Sequence, residues 1–127
     1  MAFNAIVSGP EMSPRFGGAL RLNVAKGSTW WREDELFSAV HAALTAYPRI
    51  DCIVISGSSE PTLYPGFASL VDGLCRIRAR RARGVKLAIV SNGSTLHRDE
   101  VRRTLSRFDM KIMMVDPWDA TAAGVAS

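Results

Sequence analysis

The chain has 127 residues, of which 47% are hydrophobic and 22% are charged, and this composition is typical of one soluble globular domain. No apolar run approaches the roughly 18 residues that a membrane span requires. The first residues also lack the basic and apolar regions of a signal peptide. We therefore expect a single cytoplasmic domain over residues 1–127, with no membrane association and a flexible tail at residues 118–127.

The two cysteines and two histidines exclude further classes of protein. Two cysteines are too few for the disulfide framework of a small secreted domain, and no Cys-x-x-Cys pair is present. His41 and His97 have no other metal-ligating residue at the spacing of a zinc site. We expect Cys52 and Cys75 to be reduced core residues and predict no metal site.

Much of the net charge of +4 comes from arginines at residues 76–83. Arg76, Arg80 and Arg83 recur with the period of a helix, so they are predicted to lie on one solvated face. Cations at the C-terminal end of a helix are stabilised by its dipole and require no partner. Because no aromatic residues are interleaved with these arginines to stack on bases, a nucleic-acid partner is not expected.

Four apolar runs alternate with three amphipathic segments. Apolar residues recur every third or fourth position over residues 33–47, with a hydroxyl of Ser28 or Thr29 as the candidate helix cap. In chain order the pattern predicts a strand at 19–24, a helix at 33–47, a strand at 50–56, a helix from 67 that ends at Gly84, a strand at 85–90, a helix at 99–108 and a strand at 111–115. A further short strand at residues 5–7 is an additional possibility.

This order predicts an α/β fold with a four-stranded, mostly parallel sheet and three helices, because each crossover is long enough for a right-handed βαβ unit. The periodicity alone leaves open whether the strand order is sequential or doubly wound. In either case the loops at the carboxyl ends of the strands form the binding edge. That edge would collect residues 57–60, 91–94 and 116–119.

The turn at residues 56–61 follows a buried strand and is rich in serine and glycine. Its N–H groups and hydroxyls could hold a phosphate, a carboxylate or an amine-bearing ligand, although the turn is neither a P-loop nor a nucleophile elbow. Alternatively, the hydroxyls only satisfy the backbone of the loop itself. The candidate ligand-binding residues at the predicted edge are Gly57, Ser58, Ser59, Glu60, Ser91, Asn92, Gly93 and Asp116.

Three segments together resemble one branch of the radical S-adenosylmethionine (SAM) enzymes. Residues 57–63 resemble the Gly-x-Gly-Glu-Pro-Thr-Leu motif of that branch, with Ser59 in place of a glycine, and residues 91–94 resemble its Thr-Asn-Gly-Ser motif. Residues 9–17 resemble its lead-in to the first strand, and Asp116 aligns with the aspartate that ends strand four. The resemblance implies a partial barrel, half to two-thirds of the full one, with sequential strands and with the Gly57–Glu60 turn beside the amino group of SAM.

The resemblance also exposes a departure. The family places a Cys-x-x-x-Cys-x-x-Cys loop after the first strand, but here residues 23–28 run straight toward the first helix without a cysteine. Cys52 and Cys75 cannot assemble an iron–sulfur cluster, so we expect no cluster and no radical chemistry by this chain alone. The sequence also contains four predicted strands where the family has six.

The specific function is not determined by the sequence. The leading hypothesis is a non-catalytic domain that acts through oligomerisation or ligand binding, and a homodimer would close the incomplete sheet. An alternative is a small-molecule binder for SAM, a nucleoside or an anion at the strand-end loops. A third is a cluster-independent hydrolase or transferase that uses His97 with a strand-end carboxylate. Trp30 and Trp31 are candidates for a helix staple or for interface anchors.

Overall fold

A computed structural model describes residues 6–13 and 17–114, with side chains for residues 6–7 and 18–114. The described part is an α/β domain with four parallel strands and three helices. The elements are β1 (Val7–Ser13), β2 (Gly17–Asn23), β3 (Ala25–Lys26), β4 (Thr29–Trp30), α1 (Glu33–Ala46), β5 (Ile50–Ser56), a 3₁₀ turn (Pro61–Leu63), α2 (Phe67–Arg81), β6 (Lys86–Ser91), α3 (Asp99–Leu105) and β7 (Met110–Met113). None of the helices in the described residues is long and apolar enough to cross a membrane.

The main sheet has the order β1-β2-β5-β6-β7, in which the four parallel strands follow one another sequentially. The doubly wound alternative is therefore wrong. Helix α2 contacts both α1 and α3, and the buried residues of all three helices form one core with the strands. The three helices thus cover a single face of the sheet, because a right-handed crossover between sequential neighbours always returns on the same side.

The core lies between this helix layer and the sheet. Alternate residues of the three central strands are almost completely buried there, and burial of each such side chain contributes about 1.5–3 kcal/mol relative to exposure. They are Leu20 and Leu22 on β2, Ile53 and Ile55 on β5, and Leu87 and Ile89 on β6. Phe67 at the start of α2 stacks on Phe108 after α3, with ring centroids 6.3 Å apart. This core explains why the apolar periods of the sequence predict the elements correctly.

The opposite face of the sheet carries the intervening residues. In the strand register, Val54 of β5 lies beside Ala88 of β6, and Ala88 lies beside Met110 of β7. Two residues further along the strands, Val90 lies beside Ile112. These residues face away from the helices because successive strand side chains alternate between faces. Val54 and Val90 are only half-buried, while Met110 and Ile112 are exposed. The described elements therefore leave this face without a second layer.

Several local expectations differ from the structure. Helix α2 ends at Arg81 with Ala82 as its C-cap, so the predicted Gly84 cap is wrong and Arg83 lies beyond the helix. Arg32, rather than Ser28 or Thr29, is the N-cap of α1, and its backbone N–H donates to Glu35 Oε1 at 3.1 Å. The stretch between β2 and α1 also contains a small hairpin of β3 and β4, which turns through the left-handed Gly27.

The N-terminal strand also differs from its prediction. It covers Val7–Ser13, pairs antiparallel with β2, and shifts register between Ser8 and Glu11. The sequence pattern had suggested only residues 5–7. Pro10 and glycine interrupt the apolar alternation there, and a strand that contains proline belongs at a sheet edge, which is where β1 lies. The predicted tail at residues 118–127 lies outside the described residues.

One carboxylate ties the far end of the sheet to the helices. Asp109 Oδ2, just before β7, accepts the Leu87 N–H of β6 at 2.8 Å and a bond from Arg78 Nη1 of α2 at 3.0 Å. The Leu87 N–H, with a further contribution from Arg78, lowers the pKa of Asp109. Asp109 therefore holds β7 against β6 in its ionised form.

Helices α1 and α2 pack closely because α2 has a glycine at the contact. A Cβ added to Gly73 would lie 2.2 Å from Cζ of Phe37, so the ring occupies the space that any side chain would need. Phe37 is half-buried and packs against the core. The close approach of α1 and α2 thus depends on Phe37 and Gly73 together rather than on either residue alone.

We expect a double-mutant cycle of Phe37→Ala and Gly73→Ala to give an interaction energy of about 1–2 kcal/mol, measured by urea denaturation. With Phe37 present, the new methyl group displaces the ring and overpacks the contact. In the Phe37→Ala variant, Gly73→Ala should instead stabilise the helix by about 1 kcal/mol, because alanine is a better helix former than glycine. Gly84→Ala is the matched control, since nothing lies within 4 Å of its Cβ position. Additive effects of Phe37→Ala and Gly73→Ala would contradict this account.

Candidate functional site

The predicted binding edge lies at the carboxyl ends of the parallel strands. Strand β5 ends at Ser56 and β6 at Ser91, and the loops that follow them meet. Ser91 Oγ donates to Glu60 Oε2 at 2.7 Å, and the Asn92 N–H donates to Glu60 Oε1 at 2.8 Å. The structure thus brings together the two segments that the sequence pattern selected. Asp116 lies outside the described residues.

Both oxygens of the Glu60 carboxylate are engaged by donors of this chain. Besides Ser91 and Asn92, Glu60 Oε2 accepts the Thr62 hydroxyl at 2.6 Å and the Thr62 N–H at 3.3 Å. Glu60 is also the N-cap of the 3₁₀ turn, which begins at Pro61. A carboxylate that accepts several hydrogen bonds of this kind joins the segments that carry the donors. Glu60 therefore fixes the loop after β5 to the loop after β6.

A buried pair of threonines extends this network into the interior. Oγ1 of Thr62 lies 2.5 Å from Oγ1 of Thr95, and the two residues are 4% and 2% exposed. Each hydroxyl carries one hydrogen, and that of Thr62 is donated to Glu60. The Thr95 hydroxyl therefore donates to Thr62. Thr95 was not among the predicted residues, and no sequence signal identifies it, because its role depends on the meeting of two distant loops.

The remaining predicted residues divide into two groups. The Gly93 N–H donates to Ser91 Oγ at 3.1 Å, and Asn92 Oδ1 accepts the Ser94 N–H at 2.9 Å, so these groups stabilise their own loop. By contrast, in the part of the chain that the structure describes, no hydrogen bond involves the side chains of Ser58 or Ser59. Their hydroxyls are the groups at this edge that remain available to a ligand.

Gly57 lies where the loop passes closest to β2. A Cβ at this position would meet the carbonyl oxygen of Ser59 at 3.0 Å and Oδ1 of Asn23 at 3.4 Å. Asn23 Oδ1 in turn accepts the Ala25 N–H at 3.1 Å. A side chain at position 57 would therefore crowd the chain's own backbone, whether or not a ligand approaches.

The hairpin after β2 carries an aromatic cluster next to this edge. Trp31 is 7% exposed, and its carbonyl accepts the Tyr64 hydroxyl at 2.6 Å. The Trp30 ring meets the Tyr64 ring edge-on, with ring centroids 5.6 Å apart. Burial of the Tyr64 hydroxyl raises its pKa. Lys26 Nζ lies 4.7 Å from the centre of the Trp31 ring. Trp31 is thus part of the core, and the prediction that both tryptophans could be interface anchors is wrong for Trp31.

The residues of this chain do not fit an iron–sulfur cluster. Such a cluster in the radical SAM enzymes requires three clustered thiolates, but the chain has two cysteines. Cys52 lies on β5 and Cys75 lies in α2, and the connection between β2 and α1, residues 24–32, contains none. No group of three or more potential metal-ligating side chains occurs within residues 6–13 and 17–114.

His97 and the residues near it do not form an acid/base pair. His97 is exposed in the loop before α3, and none of the described residues bonds to its ring. Asp99 instead forms an ion pair with Arg102 on α3. Within the described part of the chain, the hydrolase or transferase hypothesis therefore has no geometric support.

Comparisons with known proteins find distant relatives. The chain is 29% identical to proteins named UPF0026 protein from two strains of Helicobacter pylori, over 92% of this chain and 44% of theirs. It is 27% identical to a GTPase Obg of Brachyspira hyodysenteriae over 87% of this chain and 19% of that protein. No family model and no solved structure matches the chain.

The lengths of these alignments are informative. The match to the Helicobacter pylori proteins extends over 140 residues, although this chain has 127. Inside the matched stretch the relatives therefore carry residues that this chain lacks. The chain spans less than half the length of these two relatives, whose name states no function.

Replacement of the Glu60 carboxylate tests its role as the junction of the two loops. We expect Glu60→Gln to lower the free energy of unfolding by about 1–3 kcal/mol, because the amide NH₂ cannot accept the hydrogen bonds that one carboxylate oxygen now accepts. Glu100→Gln makes the same change at an exposed position of α3 and should alter stability by no more than about 0.5 kcal/mol. Thermal and urea unfolding measure both. Equal effects of the two variants would show that Glu60 has no special role.

Proposed function

We propose that this chain is a non-catalytic domain, derived from the radical SAM enzymes without their cluster, that functions by self-association. The observation that carries the proposal is the apolar outer strand β7. Three of its four side chains and the residue after it are large, apolar and exposed: Met110 by 48%, Ile112 by 41%, Met113 by 40% and Met114 by 58%. Concentrated apolar exposure of this kind is characteristic of surfaces that bind another protein.

Strand β7 also offers an unsatisfied backbone edge. It pairs with β6 on one side, and no strand among the described residues pairs with the other. In proteins that remain monomeric, edge strands usually carry several charges, a proline or a bulge. The single charged residue of β7 is Lys111. Another strand can therefore add to the sheet at this edge.

A second copy of the chain fits the pattern of β7. In an antiparallel pairing about a two-fold axis at Ile112, Met110 would face Met114 of the second copy and Ile112 would face its own counterpart. Lys111 would face Met113, so no like charges would be opposite each other. Dimers with two-fold symmetry are the commonest oligomers. The pairing would join the two open sheet faces into one continuous surface.

The sequence and the alignments both support a domain without radical chemistry. A short hairpin, residues 24–32, occupies the position at which the resembled family carries its three cysteines. The extra residues that the relatives carry inside the matched stretch are consistent with the loss of such a loop from this chain. A GTPase activity is not carried over from the Obg relative, because this chain has no P-loop motif.

Binding of SAM or a related nucleoside at the strand-end loops is a second candidate. Its support is the meeting of Glu60 with Ser91 and Asn92, together with the unengaged hydroxyls of Ser58 and Ser59. Its weakness is that internal bonds already occupy the Glu60 carboxylate, so a ligand amine would have to displace or share them. Self-association is therefore the better supported of the two.

Self-association is tested by sedimentation velocity at concentrations in the tens of micromolar. We expect a dimer whose dissociation constant rises at least about tenfold in Ile112→Lys, because two lysines would then face each other across the axis. Leu63→Lys is the matched control, since Leu63 is 45% exposed but lies in the 3₁₀ turn away from β7. A monomeric wild-type protein, or equal weakening by both variants, would overturn the proposal.

The ligand candidate is tested by calorimetric titration of SAM, with S-adenosylhomocysteine and ATP as comparisons. Saturable binding of SAM that is lost in Ser58→Val, a change at an exposed position, would make the strand-end loops a ligand site. The expected result is no saturable heat with any of the three compounds, because the Glu60 carboxylate is already satisfied.

A further inference from the structure

A half-open groove of about 310 Å³ lies between α1 and α2 on the helix layer, and none of its lining residues belongs to β7 or to residues 57–60 and 91–94. Small-molecule sites in proteins begin at about this volume. The residues that give the groove its chemistry are Phe37 and His41 on α1, and Gly73, Ile77, Arg80 and Arg81 on α2.

The floor of the groove is apolar. The Phe37 ring lies against the backbone of Gly73, in the space that a side chain at position 73 would occupy, and forms part of this floor. Ile77, one turn further along α2, is 9% exposed and contributes to the same floor. A flat or branched apolar group of a ligand could therefore be buried here, at a gain of about 25 cal/mol for each Å² of apolar surface.

One end of the groove carries two arginines without a carboxylate partner. Arg81 donates only to neutral acceptors, namely His41 Nδ1 at 2.9 Å, the His41 carbonyl at 3.1 Å and Thr45 Oγ1 at 3.0 Å. Arg80 has no hydrogen-bond or ion-pair partner within residues 6–13 and 17–114. Arg76, by contrast, is paired with Asp72. Two positive charges are thus left uncompensated beside an apolar floor.

The bonds of Arg81 also hold its charge in place. A guanidinium can only donate, so Nδ1 of His41 must be the acceptor and the proton of the neutral ring lies on Nε2. Three contacts to α1 restrict the rotamers of the Arg81 side chain. An anion that meets a guanidinium already oriented in this way loses less conformational entropy on binding.

The other end of the groove has the opposite charge. Glu33, the first residue of α1, lines it and accepts the Ser69 hydroxyl through Oε1 at 3.2 Å. A ligand with negative groups at both ends would therefore be repelled by Glu33. The same carboxylate disfavours a polyanion such as a nucleic acid, which would run along the whole groove.

We propose that this groove binds a small organic anion with one acidic group, a carboxylate or a phosphate monoester, attached to an aromatic or branched aliphatic body. The acidic group binds Arg80 and Arg81, and the body lies on Phe37 and Ile77. Arginine suits both acid types because its planar donors match two oxygens at once. The inference uses residues that play no part in the proposed self-association and is independent of it.

The test is a titration of the ¹⁵N-labelled protein with phenyl phosphate and with phenylacetate, followed by amide chemical shifts. We expect saturable shifts centred on Gly73, Ile77 and Arg80. Inorganic phosphate carries only the acidic group, and benzyl alcohol carries only the aromatic body. Each should bind at least about tenfold more weakly, a loss of about 1.4 kcal/mol. Arg80→Gln should weaken phenyl phosphate at least about fivefold, because it removes one of two charges.

Arg103→Gln is the matched control, since it removes an equally exposed arginine from α3, outside the groove. It should leave the affinity unchanged. Equal weakening by Arg103→Gln would mean that only the net charge matters, and it would overturn the proposal. Equal affinity for inorganic phosphate would reduce the groove to an adventitious anion site. Absence of saturable shifts with both aromatic probes, or tighter binding of single-stranded DNA at the same amides, would also overturn it.

Discussion

Sequential parallel strands with all three helices on one face are the constraint from which the other features of this domain follow. A right-handed crossover to the next strand always returns over the same face, so that face acquires both the helices and the core. The opposite face receives only the alternate strand residues, and the last strand receives no neighbour on its outer side among the described residues. In the described part of the chain, helices therefore cover one face of the sheet, and no second layer covers the other face.

The strand-end loops show how a motif can be maintained by the fold itself. Glu60 accepts hydrogen bonds from the loop that contains it and from the loop after β6, and the buried Thr62 and Thr95 hydroxyls extend the chain of donors. A side chain at position 57 would crowd the Ser59 carbonyl oxygen of the same loop. These requirements explain glycine at position 57 and glutamate at position 60 without a ligand. The motif residues that resemble a cofactor site therefore have a structural role that persists whether or not the cofactor binds.

The surfaces that the fold leaves available differ in chemistry. The β7 edge is apolar with an unpaired backbone, which suits another strand. The groove between α1 and α2 joins an apolar floor to uncompensated arginines, which suits a small amphipathic anion. Most of the other arginines of α2 and the segments around it are engaged: Arg76 with Asp72, Arg78 with Asp109, and Arg107 also with Asp72. These ion pairs neutralise the three arginines, whereas Arg80 and Arg81 have no carboxylate partner among the described residues.

The amino-acid sequence alone predicts the class of fold and the position of most elements. Continuous β-branched runs such as residues 50–56 and the helical period of residues 33–47 reflect burial, which acts on each segment separately and is therefore visible locally. It also identified the two loops that meet at the strand ends, because parallel strands place their carboxyl ends at one edge. Helix ends were less accurate: α2 ends at Arg81 with Ala82 as its C-cap, before the predicted Gly84.

Contacts between residues that are distant in the chain are visible only in the folded structure. The sequential strand order, the antiparallel β1, the burial of Trp31 and the Thr62–Thr95 pair all depend on which segments become neighbours. The same holds for the groove, where Phe37 meets Gly73 and Arg81 meets His41 across two helices. A local pattern records whether a residue is buried but not which residue covers it, and function at these surfaces depends on the latter.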